Sequence, residues 1–142
     1  ELVDTVIADH ALRMQQRNIT CHSTLADAGT IGEPFLLRQA LANLLDNAID
    51  FSPEGGEITL TLRTESGKHH LSVRDHGSGI PDYALPRVFE RFYSLPRPGT
   101  QRKSTGLGLP FVREVALLHG GDIELINHPD GGVEARLSLP LN

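Results

Sequence analysis

Asn43-Leu44-Leu45-Asp46-Asn47-Ala48-Ile49-Asp50-Phe51 is the stretch from which the fold is read. It continues an apolar stripe of Leu37, Leu41, Leu44, Leu45, Ala48 and Ile49, spaced three and four residues apart as on a helix with one buried face. Glu33-Pro34 opens that helix, because proline fits a first turn where its missing donor costs nothing. Ser52-Pro53-Glu54-Gly55-Gly56 closes it. Asn43 and Asn47 share a face bordering the stripe. Asparagine is a mediocre residue inside a helix, so the pair asks for a reason. Neutral amide oxygens suit a hard cation such as Mg²⁺, which binds few protein groups and keeps phosphates and waters. Solvated amides at the margin of a core would look the same.

Outward from this helix, Glu1 to Arg17 carries Leu2, Val3, Val6, Ile7, His10 and Met14 at helical spacing, and Asn18 to His22 alternates like a short strand. Asp27 to Gly32 is a turn-rich connector with room for one more strand. Glu57 to Arg63 and His69 to Asp75 alternate as strands. A further helix runs from near Leu109 to His119 and ends at Gly120-Gly121. Strands Asp122 to Ile126 and Gly132 to Leu139 flank the turn His128-Pro129-Asp130-Gly131. Helices and strands alternate without a βαβ rhythm, which predicts a mixed-sheet α/β sandwich rather than a doubly wound sheet.

Two glycine-bearing stretches adjoin these elements. In Asp75-His76-Gly77-Ser78-Gly79-Ile80-Pro81 the parity of Asp75 with Leu71 and Val73 turns its carboxylate toward the core. A carboxylate there needs a donor, and a ligand amine would supply one; the same pattern is also an ordinary exit from a strand into a turn. Ser104-Thr105-Gly106-Leu107-Gly108-Leu109-Pro110 leads into a helix, where exposed N–H groups cradle phosphate. It lacks the Lys-Ser or Lys-Thr of a Walker loop. Residues 94–105 precede it, with Arg97, Arg102 and Lys103 and no periodicity, and read as a mobile surface loop poorly ordered without ligand. In Val88-Phe89-Glu90-Arg91-Phe92-Tyr93 the aromatics either pin the root of that loop or are plain core.

The whole chain has 142 residues, 39% hydrophobic and 22% charged, which is the size and balance of one soluble globular domain. Thirteen Lys and Arg against eighteen Asp and Glu leave a net charge of −5, which argues against a nucleic-acid partner. The single cysteine, Cys21, allows neither an internal disulfide nor a thiolate zinc cluster. No apolar run is long enough to span a bilayer. A first residue of Glu1 rather than Met marks an expected fragment of a longer protein.

Taken in this order, the motifs resemble the catalytic ATP-binding domain of bacterial sensor histidine kinases, within the wider Bergerat (GHKL) group that includes gyrase, Hsp90 and MutL. Asn43 to Phe51 looks like the N box, Asp75 to Gly79 the first glycine box, Phe89 to Tyr93 the F box, and Gly106 to Leu109 the second glycine box. The resemblance covers about Gly32 to Leu141. It implies a two-layer α/β sandwich, with roughly five strands in a mixed sheet and three helices on one face. Residues 1–17 would be a linker helix and 18–142 a single ATP-binding domain. It implies ATP and Mg²⁺, with Asn47 as metal ligand and Asn43 beside it as the catalytic pair. Phe51, Asp75, Gly77, Gly79 and Ile80 would hold adenine, Asp75 accepting from its amino group. Arg91, Lys103, Thr105, Gly106, Leu107, Gly108 and Leu109 would hold the phosphates.

The resemblance also implies a kinase rather than an ATPase. Hydrolytic relatives place a glutamate base four residues before the metal-binding asparagine, where this chain has Asn43, an amide without useful basicity. A histidine nitrogen needs no such base, only alignment and charge neutralisation. The expected partners are the protein's own dimerisation domain, a response regulator and a second copy of the full-length chain. The expected setting is the cytoplasmic side of an inner-membrane sensor, anchored through segments outside this sequence. None of the seven histidines lies in the family's His-Glu-Leu-Arg-Thr-Pro context; His10-Ala11-Leu12-Arg13 lacks the proline. Asp50 departs from the family at a position where lysine is common. The alternatives are a nucleotide-binding regulatory module without catalysis and an anti-sigma-type Ser/Thr kinase of the same fold.

Overall fold

The computed structural model describes residues 2–25, 34–65, 67–77, 79–80, 83–90 and 108–140. Helices α1 (Leu2–Asp9) and α2 (Ala11–Gln16) lead into β1 (Thr20–Leu25), and the long helix α3 (Pro34–Phe51) follows. A hairpin of β2 (Glu57–Glu65) and β3 (Lys68–Asp75) comes next, then α4 (Gly108–Leu118) and the closing hairpin of β4 (Asp122–Asn127) and β5 (Val133–Pro140). The strands form one five-stranded sheet in the order β1-β2-β3-β5-β4. β1 runs parallel to β2, and the other neighbours are antiparallel, so the sheet is mixed as expected.

Register puts both side chains of every second pair on a common face. Ile58 lies opposite Asp75, Leu60 opposite Val73, and Leu137 opposite both Leu71 and Ile123. This face is buried against the α3 stripe of Leu41, Leu44, Leu45, Ala48 and Ile49 and against Val112, Val115 and Ala116 of α4. Each leucine so buried contributes roughly 1.5–3 kcal/mol. The other face carries Ser72, Arg74, Glu134 and Arg136, polar side chains that alternate with the apolar core face.

The helix ends follow from local chemistry. At the end of α3 the Ser52 N–H and hydroxyl both donate to the Ala48 carbonyl, and Pro53 forbids a further turn. At the end of α4, Gly121 N–H bonds Ala116 O and Gly120 N–H bonds Leu117 O, with Gly120 at φ +78. That is a Schellman cap.

Two expectations need correction. The helix read over Glu1 to Arg17 is broken at His10. His10 Nδ1 donates to the Val6 carbonyl at 2.8 Å, so the His10 N–H turns instead to Ile7 O at 3.1 Å. The side chain has replaced a main-chain bond of the helix. Val3, Val6 and Met14 still join the common core. The first strand starts at Thr20 rather than Asn18, because Asn18 takes φ +56 and its N–H closes a turn on Gln15 O. The possible strand within 27–32 and the basic loop 94–105 lie outside the described residues.

Candidate functional site

The site forms where the last turns of α3 meet the end of β3. Asn43, Asn47 and Phe51 follow one another down α3 at four-residue steps, while Leu44 and Ala48 beside them are buried. Asp75, the last residue of β3, is only 6% exposed. Its Oδ1 accepts the Gly77 N–H at 2.9 Å and the Val133 N–H at 3.4 Å, and among the described residues nothing donates to its Oδ2. Burial pushes the Asp75 carboxyl above the usual carboxylate range. The Gly77 and Val133 N–H groups, His76 and Arg74 oppose that rise without cancelling it.

Between α3 and the sheet lies a recess of about 490 Å³, counting its open mouth. Leu44, Ala48, Phe51, Val73, Ile80, Leu109, Leu125, Val133 and Ala135 give it apolar walls; Asn47 and Asp75 supply the polar side chains. A flat ring with one or two donors, joined to a charged tail, matches such a lining. The loop after β3 comes close because residue 77 is glycine: a Cβ there would stand 2.4 Å from the Phe51 carbonyl oxygen.

Asn47, Phe51, Asp75, Gly79, Ile80 and Leu109 therefore line one cavity. Gly77 stands behind it as a donor to Asp75. Asn43 lies one turn up α3, where its Nδ2 donates to the carbonyl of Gly108 at 3.4 Å and its Oδ1 accepts from Gln39 at 3.1 Å. That contact joins the N-box helix to the start of α4. Phe89 packs against the core, with the Arg113 guanidinium 5.7 Å above its ring. Arg91, Lys103, Thr105, Gly106 and Leu107 lie outside the described residues. The sequence reading missed Val133, which lines the cavity at the start of β5, and Asn127, which holds Ile80 from the end of β4; Gly131-Gly132 between them was the available signal.

Residues 32–142 match the family model for histidine kinase-, DNA gyrase B- and HSP90-like ATPases, and the chain belongs to that family. Among curated relatives it is similar to the sensor protein CreC of Escherichia coli (strain K12), at 55% identity over 128 residues, which cover 90% of this chain and 27% of CreC. Among solved structures it is similar to the mycobacterial sensor histidine kinase MprB, with 32% identity, a TM-score of 0.83, and coverage of 99% of this chain and 92% of that one. It is also similar to the nucleotide-free catalytic domain of the histidine kinase ThkA, with 28% identity, a TM-score of 0.85 and the same coverages of 99% and 92%. The chain spans about a quarter of CreC's length.

Proposed function

We propose that this chain is the ATP-binding catalytic part of a two-component sensor histidine kinase, which takes Mg²⁺-ATP and donates its γ-phosphoryl to a histidine of the protein's own dimerisation domain. The observation that carries the reading is the shared recess, whose lining brings Asp75 and Asn47 together among apolar side chains. Asp75 lines a mostly apolar cavity, and an adenine amino group would supply a donor to its carboxylate. Phe51 and Ile80 add apolar lining suited to a flat ring.

The donor set on α3 fits Mg²⁺. Asn47 and Asn43 present neutral amides, and among the described residues no group of three His, Cys, Asp or Glu could hold a metal alone. Such a site suits a cation that keeps waters and phosphate oxygens as its remaining ligands. Mg²⁺ held there would supply charge neutralisation to the phosphates.

Asn43 supports transfer over hydrolysis, being an amide already engaged with Gly108 and Gln39 and unable to activate water. In the transfer the acceptor imidazole nitrogen attacks the γ-phosphorus, the bond to the bridging oxygen breaks, and ADP leaves. His10 does not serve as that acceptor, since its ring nitrogens are held by Val6 O and Asp46. The acceptor then belongs to a dimerisation domain, reached through residues 1–17 as the linker, with 18–142 as the catalytic domain. A response regulator receives the phosphoryl group, and the full-length protein is a homodimer on the cytoplasmic side of the inner membrane. Among the described residues no helix is long and apolar enough to cross a membrane, so an anchor would come from elsewhere in the protein.

The test is to supply a separate dimerisation domain together with γ-labelled ATP. Acid-labile label on its histidine is expected. Nucleotide binding with no label on any acceptor would overturn the kinase reading.

A further inference from the structure

The turn joining β4 to β5 packs against the backbone of Asp75 and Gly77 at the end of β3. Asn127, the last residue of β4, commits its whole amide to one residue of the loop after β3. Its Oδ1 accepts the Ile80 N–H at 2.9 Å, and its Nδ2 donates to the Ile80 carbonyl at 2.7 Å. A side chain thus satisfies both main-chain groups of Ile80, as a neighbouring strand would. Of the twenty side chains, asparagine fits this task at this reach: aspartate has no donor, and serine is too short to span both groups. The same turn presses on Asp75, because a Cβ on Gly132 would stand 2.1 Å from the Asp75 carbonyl oxygen. A Cβ on Gly79 would in turn meet Asn127 Oδ1 at 3.1 Å. Gly79, Ile80 and Asp75, the residues so fixed, all line the recess.

We propose that Asn127 is a positioning residue of the nucleotide site, setting the gap between Ile80 and Asp75 that receives the base and so contributing to selection of adenine. This rests on the reading of the recess as an ATP site. Asn127 does not line the cavity; it acts through Ile80.

The experiment is a calorimetric titration of wild type, Asn127→Ala and Asn127→Asp with ATP, ADP and GTP, each with and without Mg²⁺, alongside melting curves of the empty proteins. Asn127→Ala should weaken ATP and ADP alike by about tenfold, the size of losing two neutral hydrogen bonds. GTP binding should hardly change, so the ATP-to-GTP ratio falls, while the Mg²⁺ dependence stays as in wild type. Asn127→Asp, nearly isosteric and still an acceptor for the Ile80 N–H, should fall between the two, and it reads the same ratio if the alanine variant does not fold. A lowered melting temperature with an unchanged ATP-to-GTP ratio in either folded variant would overturn the inference and leave the ATP site intact. Wild type that binds no ATP would overturn the ATP site, and the inference with it.

Discussion

Arg13 and Asp50 are joined by an ion pair of 2.6 Å, and the second terminal nitrogen of the same guanidinium holds Asp46, also at 2.6 Å. Two carboxylates one turn apart on α3 thus grip one arginine from α2. Arg17 adds bonds to the carbonyls of Ile49 and Ser52 at the end of α3, where a cation also meets the helix dipole favourably. This accounts for Asp50 at a position where the family resemblance leads one to look for lysine. Here the carboxylate fastens the N-terminal helices to the helix bearing Asn47 and Phe51.

Asp50→Asn should therefore cost about 0.2–1 kcal/mol, the range for a partly exposed pair. Asp50→Lys should cost more, since it faces Arg13 with a like charge, and neither change should tighten ATP. Urea denaturation and an ATP titration of both variants check this. A lysine variant that binds ATP more tightly would show that position 50 faces the phosphates.

Asp75→Asn separates stability from function. Burial holds the Asp75 carboxyl above its ordinary value, so ionising it costs the folded state something that the unfolded chain does not incur. That cost is present above the raised pKa and fades as pH falls toward the unfolded value. The asparagine variant keeps an acceptor for Gly77 and loses the buried charge, so the empty protein should melt no lower than wild type at pH 7. Its ATP affinity should fall at least roughly tenfold, as for loss of a charged hydrogen bond.

Glu134 runs the other way. Burial raises its carboxyl, but the Ser72 hydroxyl, His128 and Arg136 outweigh that and hold it below its ordinary value. The Ser72 Oγ lies 2.8 Å from Oε2 and the His128 Nε2 2.9 Å from Oε1. Its contribution is full above the unfolded pKa and is lost as pH falls through the lower folded one. Glu134→Gln should cost about 1–3 kcal/mol at pH 7. The difference from wild type should shrink in acid, read by urea denaturation across that range.

Asn47→Asp places a carboxylate beside the expected phosphates. Binding of Mg²⁺-ATP, or phosphoryl transfer from it, should weaken by roughly tenfold, equivalent to about 1.4 kcal/mol. Titrations with and without Mg²⁺ locate the effect. Unchanged Mg²⁺ dependence would remove Asn47 from the metal site.

Much of this architecture could be read from spacing. The α3 stripe, the amides at 43 and 47 and the core-side parity of Asp75 are local patterns, and each maps onto a face once the element type is known. The break at His10 was hidden because it turns on a side chain competing for the Val6 carbonyl, which no periodicity records. Asn127 was hidden for a different reason: its partner lies 47 residues away, and only the pairing of β3 with β5 and β5 with β4 brings the two together. His128-Pro129-Asp130-Gly131 read simply as a turn, and its place behind Asp75 is a property of the sheet order.

The most direct measurement is a titration of this chain with ATP and ADP by calorimetry and thermal unfolding, beside Asp75→Ala. Saturable binding of both nucleotides is expected, with stabilisation of about 2.7 kcal/mol at ligand a hundredfold above Kd, and loss of both effects in the variant. Absence of heat and of any melting shift in wild type, or an Asp75→Ala protein that binds as wild type does, would contradict the account.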